Sequence, residues 1–330
     1  MKIKFWQLTR KVRAVLRGPS QSNFEKPFKT ISDNYNKHKL AVKFFYVVQF
    51  IVFINLLTQM NLWNFEKPVS VVPFLTPFIW IGLENIYAIF ITLGFVSLLA
   101  LFLDTSLRWA RIGYFLSIVF VFAVYYSFGT VRHSQYPWMW ISFVLIFLPS
   151  IKNNDRREKF LYSTVCFLAL IIVLSIYTLS GSWKILNGII IHGLDPNMIT
   201  LLHPDGMSIH LAGYLIKHGY HPPLADFVIL RPLLGWFLML GAIYMQFCAI
   251  FSGFRKEALT IWLFLLTTFH VLNVPLMNLP FNHQGWAAIF VILFFGNPKW
   301  PLSLKASFWN LPIIGDISWS LSKRFVKNKN

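Results

Sequence analysis

The sequence predicts an all-α, polytopic integral membrane protein, and three observations predict it. Hydrophobic residues make up 56% of the 330 positions and charged residues only 13%, roughly half the charged fraction of a soluble domain. Apolar runs recur along most of the chain at lengths near the ~20 residues that cross a bilayer as a helix. Basic residues gather in alternate connections between those runs, as orientation in a membrane requires. A mean hydropathy of +0.57 agrees with this class.

Residues 1–39 are a basic segment. Phe5, Leu8, Val12 and the Val15/Leu16 pair recur at helical spacing, with Lys2, Lys4, Arg10, Lys11, Arg13 and Arg17 between them, before Gly18-Pro19. The pattern predicts an amphipathic cytoplasmic helix lying on the membrane surface; a nucleic-acid arm is the rival reading of so basic a stretch. The first apolar run begins near Leu40, too late for a cleavable signal peptide, so the first span is expected to be an uncleaved anchor.

Residues 40–298 are expected to hold about eight spans, at 40–59, 85–103, 112–127, 138–148, 160–179, 227–251, 259–276 and 286–295. The fourth and eighth are short. Pro73 and Pro77 interrupt the apolar stretch 71–83, which reads as an interfacial or re-entrant segment. A long outer loop is expected at about 181–226, with amphipathic character over 207–215. Residues 299–330 form a basic tail. Cys166 and Cys248 both fall inside apolar runs and read as buried structural thiols.

An even number of spans puts both termini on one side. All but five of the 30 Lys and Arg residues then fall on that side. The five exceptions are Lys67, Arg132, Lys184, Lys217 and Arg231. Both termini are therefore expected to be cytoplasmic, with the bacterial inner membrane as the location. The net charge of +18 follows from a basic face turned to an anionic leaflet, so no nucleic-acid partner is needed to explain it; membrane lipids are the expected surroundings.

Of the nine histidines, only His38 lies in a cytoplasmic segment. His133 follows the third span; His192, His203, His210, His218 and His221 lie in the outer loop; His270 is in the seventh span and His283 just beyond it. His218 and His221 make an HxxH pair, but the spacings match no closed zinc set. Interfacial histidines bonded to backbone or water are the expected reading, and no metal site is assigned. His270, Asn273 and Met277 share a helix face. Polar groups within a span must face the bundle interior, where they either tie helices together or line a cavity.

Tyr177, Gly181 and Lys184 form one stripe if the fifth span continues. The glycine leaves a notch for a planar ligand, flanked by a phenol and an amine. Burial in an apolar pocket disfavours the charged form of an amine, and a neutral lysine can take a proton. The other reading is a lysine that snorkels at a helix end with its head in water.

Three segments resemble the HTTM family, the membrane domain shared with vitamin K-dependent gamma-carboxylases. YTLSGSWKILNG resembles the family's pattern of a tyrosine, a small residue and glycine, one or two lysines and a leucine. GTVRHSQYPWMWISFVLIFLPS resembles the polar loop that leads into a span ending in Phe-x-Pro. FHVLNVPLMNLPFNHQGWAAIFVILFF resembles the closing His-containing helix, its loop and the last short span. The likeness covers roughly residues 40–298.

The resemblance implies a quinol-dependent membrane enzyme, in carboxylases a lyase, with reduced vitamin K or another quinol as cofactor. In that chemistry a lysine of the motif takes a proton from the quinol. Oxygen then drives epoxide formation through a strong base, which deprotonates glutamate for addition of carbon dioxide. By position Lys184 matches the second of the paired lysines, and Trp183 stands at the first. The carboxylases also carry a large luminal domain that grips a propeptide; this chain ends about 30 residues after its last span, so carboxylation of a protein partner is not expected. Gln246 stands where many relatives place a glutamate.

The expectation is thus a cavity for a quinone, quinol or other lipophilic small molecule. Lys184 is the catalytic candidate, with Tyr177, Gly181, His133, His270, Asn273 and His283 around the pocket. A non-enzymatic membrane binding or accessory protein is the alternative. A transporter is a third reading, against which stand few charges inside the spans and no inverted repeat.

Overall fold

The computed structural model describes residues 34–58, 70–128, 135–150, 155–195, 198–219, 221–278, 282–300 and 304–327. The regular structure among them is helical throughout, without strands. Five helices are long and apolar enough to cross a membrane, at Tyr35–Asn55, Leu83–Leu103, Arg108–Ser127, Arg156–Ile191 and Lys256–Met277. Each overlaps one of the expected spans. The described residues fall into two compact units that divide between Ala169 and Leu170, inside the longest helix.

The unit up to Ala169 contains α1 (Tyr35–Thr58), a 3-10 helix (Pro73–Ile81), α2 (Leu83–Leu103), α3 (Arg108–Ser127), α4 (Tyr136–Leu145) and the start of α5 (Arg156–Leu194). Two prolines fit the tight 3-10 turn at 73–81, and Gly82, with φ of +86°, redirects the chain into α2. The α2–α3 hairpin is closely packed. A Cβ on Gly94 would lie 2.5 Å from Ser117 Oγ, and one on Gly113 would lie 2.5 Å from Ser97 Oγ. Small residues on both helices thus let the backbones approach, which is how membrane helices gain packing without a hydrophobic driving force between them. The Ser117 hydroxyl donates to the Phe90 carbonyl across the same seam. Phe45, Tyr46, Phe53, Tyr114 and Trp138 are buried, and Tyr114 OH donates to Gln49 Oε1 at 2.7 Å.

The unit from Leu170 contains the rest of α5, then α6 (Gly206–His218), α7 (Ala225–Ile229), α8 (Pro232–Phe247), α9 (Ala249–Ser252) and α10 (Lys256–Met277). It ends with α11 (Asn282–Phe290), which passes into a π-helical turn over Val291–Phe295, then α12 (Leu304–Trp309) and α13 (Ile314–Lys327).

Four departures from expectation have local causes. The outer loop placed at 181–226 begins only after Leu194, because Ile185, Leu186 and Ile189 to Ile191 keep α5 apolar and no proline intervenes before Pro196. Within that loop the amphipathic stretch folds as α6, which buries Met207 and Leu211 against Val228 and Leu276 and stops at Gly219 in the left-handed conformation, a common helix terminator. The run 227–251 is three pieces. Pro232 lacks an N–H and disfavours helical backbone at the residue before it, and Arg231 sits at φ −130°, ψ 72°. The tail 299–330 contains two helices, α12 and α13. The expected N-terminal amphipathic helix lies outside the described residues. Cys166 and Cys248 are both buried free thiols.

Candidate functional site

The inner face of α5 gathers most of the expected residues into two small networks. The first surrounds Lys184. Its Nζ donates to Ser180 Oγ at 2.8 Å and to Gln246 Oε1 at 2.9 Å. Ser180 stands one turn back on the same helix, where i and i+4 side chains meet. Gln246 is buried near the end of α8. Lys184 is half-buried and enters no ion pair among the described residues.

Gly181 explains how α8 comes so near. A Cβ there would fall 2.9 Å from the Gln246 carbonyl carbon and 2.9 Å from Phe247 Cα. The notch expected for a planar ligand is therefore filled by the backbone of Gln246 and Phe247. That same approach brings the Gln246 amide to the amine. Thr178 Oγ1 strengthens the junction by accepting from the Ile250 N–H at 3.0 Å.

The second network lies two turns toward the N-terminus of α5, about 10 Å along the axis. Tyr177 OH and His270 Nε2 are 2.8 Å apart, both side chains buried. The phenol oxygen also lies 3.2 Å from the Gln284 carbonyl oxygen. A hydroxyl has one proton: if it goes to the Gln284 carbonyl, Nε2–H of His270 donates to the phenol oxygen, and if it goes to Nε2 the imidazole accepts. Gly285 lets α11 close on the imidazole: a Cβ there would lie 2.9 Å from His270 Cγ. Asn273 is buried one turn beyond His270 on α10.

The expected set is thus only partly brought together. Tyr177 and His270 bond directly, and Gly181 and Lys184 share a junction with α8. His283 is half-buried at the start of α11, with no contact to Lys184 among the bonds described. His133 lies outside the described residues. Sequence reasoning had placed Ser180, Thr178, Gln284 and Gly285 in no site, and Gln246 entered only through resemblance. The usable signal for Gln246 was a polar side chain inside an apolar run, which must find a partner.

The described loop histidines do not converge; the side chains of His192 and His218 lie outside the described structure. His203, His210 and His221 are exposed, and His203 Nδ1 is engaged locally, accepting from the Asp205 N–H at 3.2 Å. Among the described residues no group of three or more His, Cys, Asp or Glu side chains is placed to hold a metal ion.

No family model matches this chain, and neither does any curated protein or solved structure.

Proposed function

We propose that the chain is an HTTM-type membrane protein in which Lys184 is the general base toward a lipid-soluble quinol. One observation carries this reading: an amine within an apolar helix, half-withdrawn from solvent, bonded to two neutral oxygens and to no described carboxylate. A carboxylate partner would lock the amine as an ammonium ion. Neutral acceptors orient it without supplying that charge. In its neutral form Lys184 takes the quinol hydroxyl proton, giving an ammonium ion and a quinolate. Ser180 and Gln246 then accept hydrogen bonds from the ammonium.

Reduced vitamin K is the quinol that the resemblance suggests. Tyr177, two turns away along α5, and His270 of α10 bonded to it do not touch the same hydroxyl in this reading; they and Asn273 line the region beyond it. The same proposal takes the two termini as cytoplasmic and the location as a bacterial inner membrane. It counts eight crossings, with α4, the α7–α9 segment and α11 with its π turn supplementing the five long helices. The side preference of the basic residues supports that orientation.

A second reading rests on Gly181. Because backbone fills its notch, the Lys184–Gln246 bond doubles as an interhelical tie, and an accessory protein would need no more from it.

The two readings separate on Lys184→Met in proteoliposomes supplied with reduced vitamin K and oxygen. General-base catalysis predicts quinol consumption by the wild type and a loss of about 10²–10⁴-fold in the variant, with the melting temperature little changed. A tie predicts a lower melting temperature and no quinol consumption by either protein. Equal consumption by both proteins overturns the role of Lys184.

A further inference from the structure

We propose that α13 is a membrane-surface helix, latched to the end of a span by an ion pair to a buried arginine, and that its ligand is the anionic phospholipid surface. The latch is defined at every point by hydrogen bonds. Arg255, wholly buried, caps the start of α10. Its Nη2 donates to Asp316 Oδ2 at 2.8 Å and its Nη1 to the Asn310 carbonyl at 3.2 Å. Asp316 Oδ2 also accepts from the Ile313 N–H at 3.3 Å, and Tyr244 OH donates to the Pro312 carbonyl at 2.7 Å. Ile313 is held at φ of +67°, a region that a β-branched residue enters only when its surroundings impose it. The turn before α13 is therefore built, and it sets the direction of the helix.

That direction is opposite to the one a soluble core would select. Asp316 and Ser320 share one face in the helical register, and Ile314 and Ile317 share the other. The polar face is the one that supplies Asp316 to the protein. On the apolar face, Ile314 is 41% exposed and Ile317 56% exposed. A helix that docks through its carboxylate and turns isoleucines outward is covered by something apolar.

Three facts point to lipid as that cover. Arg255 directly precedes Lys256, where a membrane-length helix begins, so the latch lies at the edge of the membrane. Aromatic residues gather there: Trp300 and Phe308 are exposed, and Trp309 packs edge-on against Trp319 at 5.7 Å. Aromatic rings concentrate at the level of lipid headgroups. The second half of the helix adds Lys323, Arg324 and Lys327 to its sequence, the charge that suits an anionic leaflet. The proposal rests on the reading of this chain as membrane-spanning and is independent of any role for Lys184.

Spin labels on the full-length protein test it, with the buried Cys166 and Cys248 replaced by alanine. Ile317→Cys reports on the apolar face of α13, Ser320→Cys on its polar face, and Leu99→Cys on α2, where Leu99 is 57% exposed inside a span. Each variant goes into nanodiscs of phosphatidylcholine with or without phosphatidylglycerol, and accessibility to oxygen is compared with accessibility to a water-soluble nickel chelate. The expected result is an oxygen-over-nickel ratio several-fold higher at 317 than at 320, with the contrast growing when phosphatidylglycerol is present. Equal ratios at 317 and 320, or a label at 317 shielded from both reagents as under a second protein copy, overturn the proposal. A label at Leu99 that sees lipid while 317 sees water overturns the surface helix alone; water at both sites overturns the membrane reading itself. Asp316→Asn should raise label mobility at 317 and leave Leu99 unchanged, and unaltered mobility at 317 overturns the latch.

Discussion

Arg111 and Arg255 are both fully buried at the start of a membrane-length helix, yet the two units meet them with different chemistry. In the unit up to Ala169, Arg111 Nη2 donates to two backbone carbonyls, Leu148 at 2.9 Å and Ser106 at 3.3 Å. In the unit from Leu170, Arg255 has a carboxylate, Asp316, at 2.8 Å. Carbonyl dipoles are part of the fold and cannot be mutated away; a carboxylate is a single side chain on a separate helix. Compensation in the first unit is therefore spread out and robust, and in the second it is concentrated and breakable.

The largest effect should come from Asp316→Ala. It removes the carboxylate at 2.8 Å from a buried guanidinium; breaking a wholly buried pair costs about 3–5 kcal/mol, and the partial exposure of Asp316 puts this one near the lower end, about 3 kcal/mol. Thermal unfolding in detergent should show a clear fall in melting temperature. Arg111→Met should cost less, about 1–3 kcal/mol, because it strands two carbonyl acceptors and no charge. If Arg111→Met proves as damaging as Asp316→Ala, the contrast between spread and concentrated compensation fails.

Tyr177→Phe sits below both. The phenol bridges His270 and the Gln284 carbonyl, all neutral groups, so its loss should cost about 1 kcal/mol. The ring and its packing survive the change. A melting point shifted as far as by Asp316→Ala would mean that the Tyr177–His270 pair carries charge.

The membrane-length helices were legible because each is an apolar run of near-bilayer length, with a proline only in the last turn of α10 at Pro275, and period and length decide such segments. The far half of α5 was not, because Ser182, Lys184 and Asn187 look like the onset of a loop. In the folded chain Lys184 finds Ser180 and Gln246, which lets polar residues stay in an apolar helix. Pro232 marks the break in the run 227–251, a signal that hydropathy alone does not carry. The site was half legible. Tyr177 and His270 both stood out as polar groups inside apolar runs, but nothing in residues 93 positions apart tells that they bond. Gly181 showed that something would come close; only the fold shows that the visitor is the backbone of Gln246 and Phe247. The Asp316–Arg255 latch was hidden by the uniform basic character of the tail, in which one aspartate reads as noise. Tyr46 and Tyr162, within electrostatic reach of Arg111, were missed for a different reason: phenols in apolar runs count as hydrophobic. Their hydroxyls make no hydrogen bond among the described residues.

Asp104 offers the smallest and sharpest test of the comparison. It is an exposed carboxylate in the turn between α2 and α3, and it acts on Arg111 only at long range. The Ser106 N–H and hydroxyl donate to its two oxygens, each at 2.8 Å, and these bonds hold its pKa below the ordinary value, with Arg111 and Lys39 adding little. A carboxyl whose folded-state pKa is depressed stabilises the fold above its unfolded pKa, near ~3.9, and loses that contribution as pH falls through the lower folded value. Asp104→Asn should therefore lower stability by less than about 1 kcal/mol at neutral pH, as expected for a solvent-screened group. The difference from wild type should shrink as the pH is taken below ~4, where the native carboxyl also becomes neutral. A larger loss, comparable to that from Asp316→Ala, would mean that Arg111 depends on a carboxylate after all. The two units would then differ only in how far away they keep it.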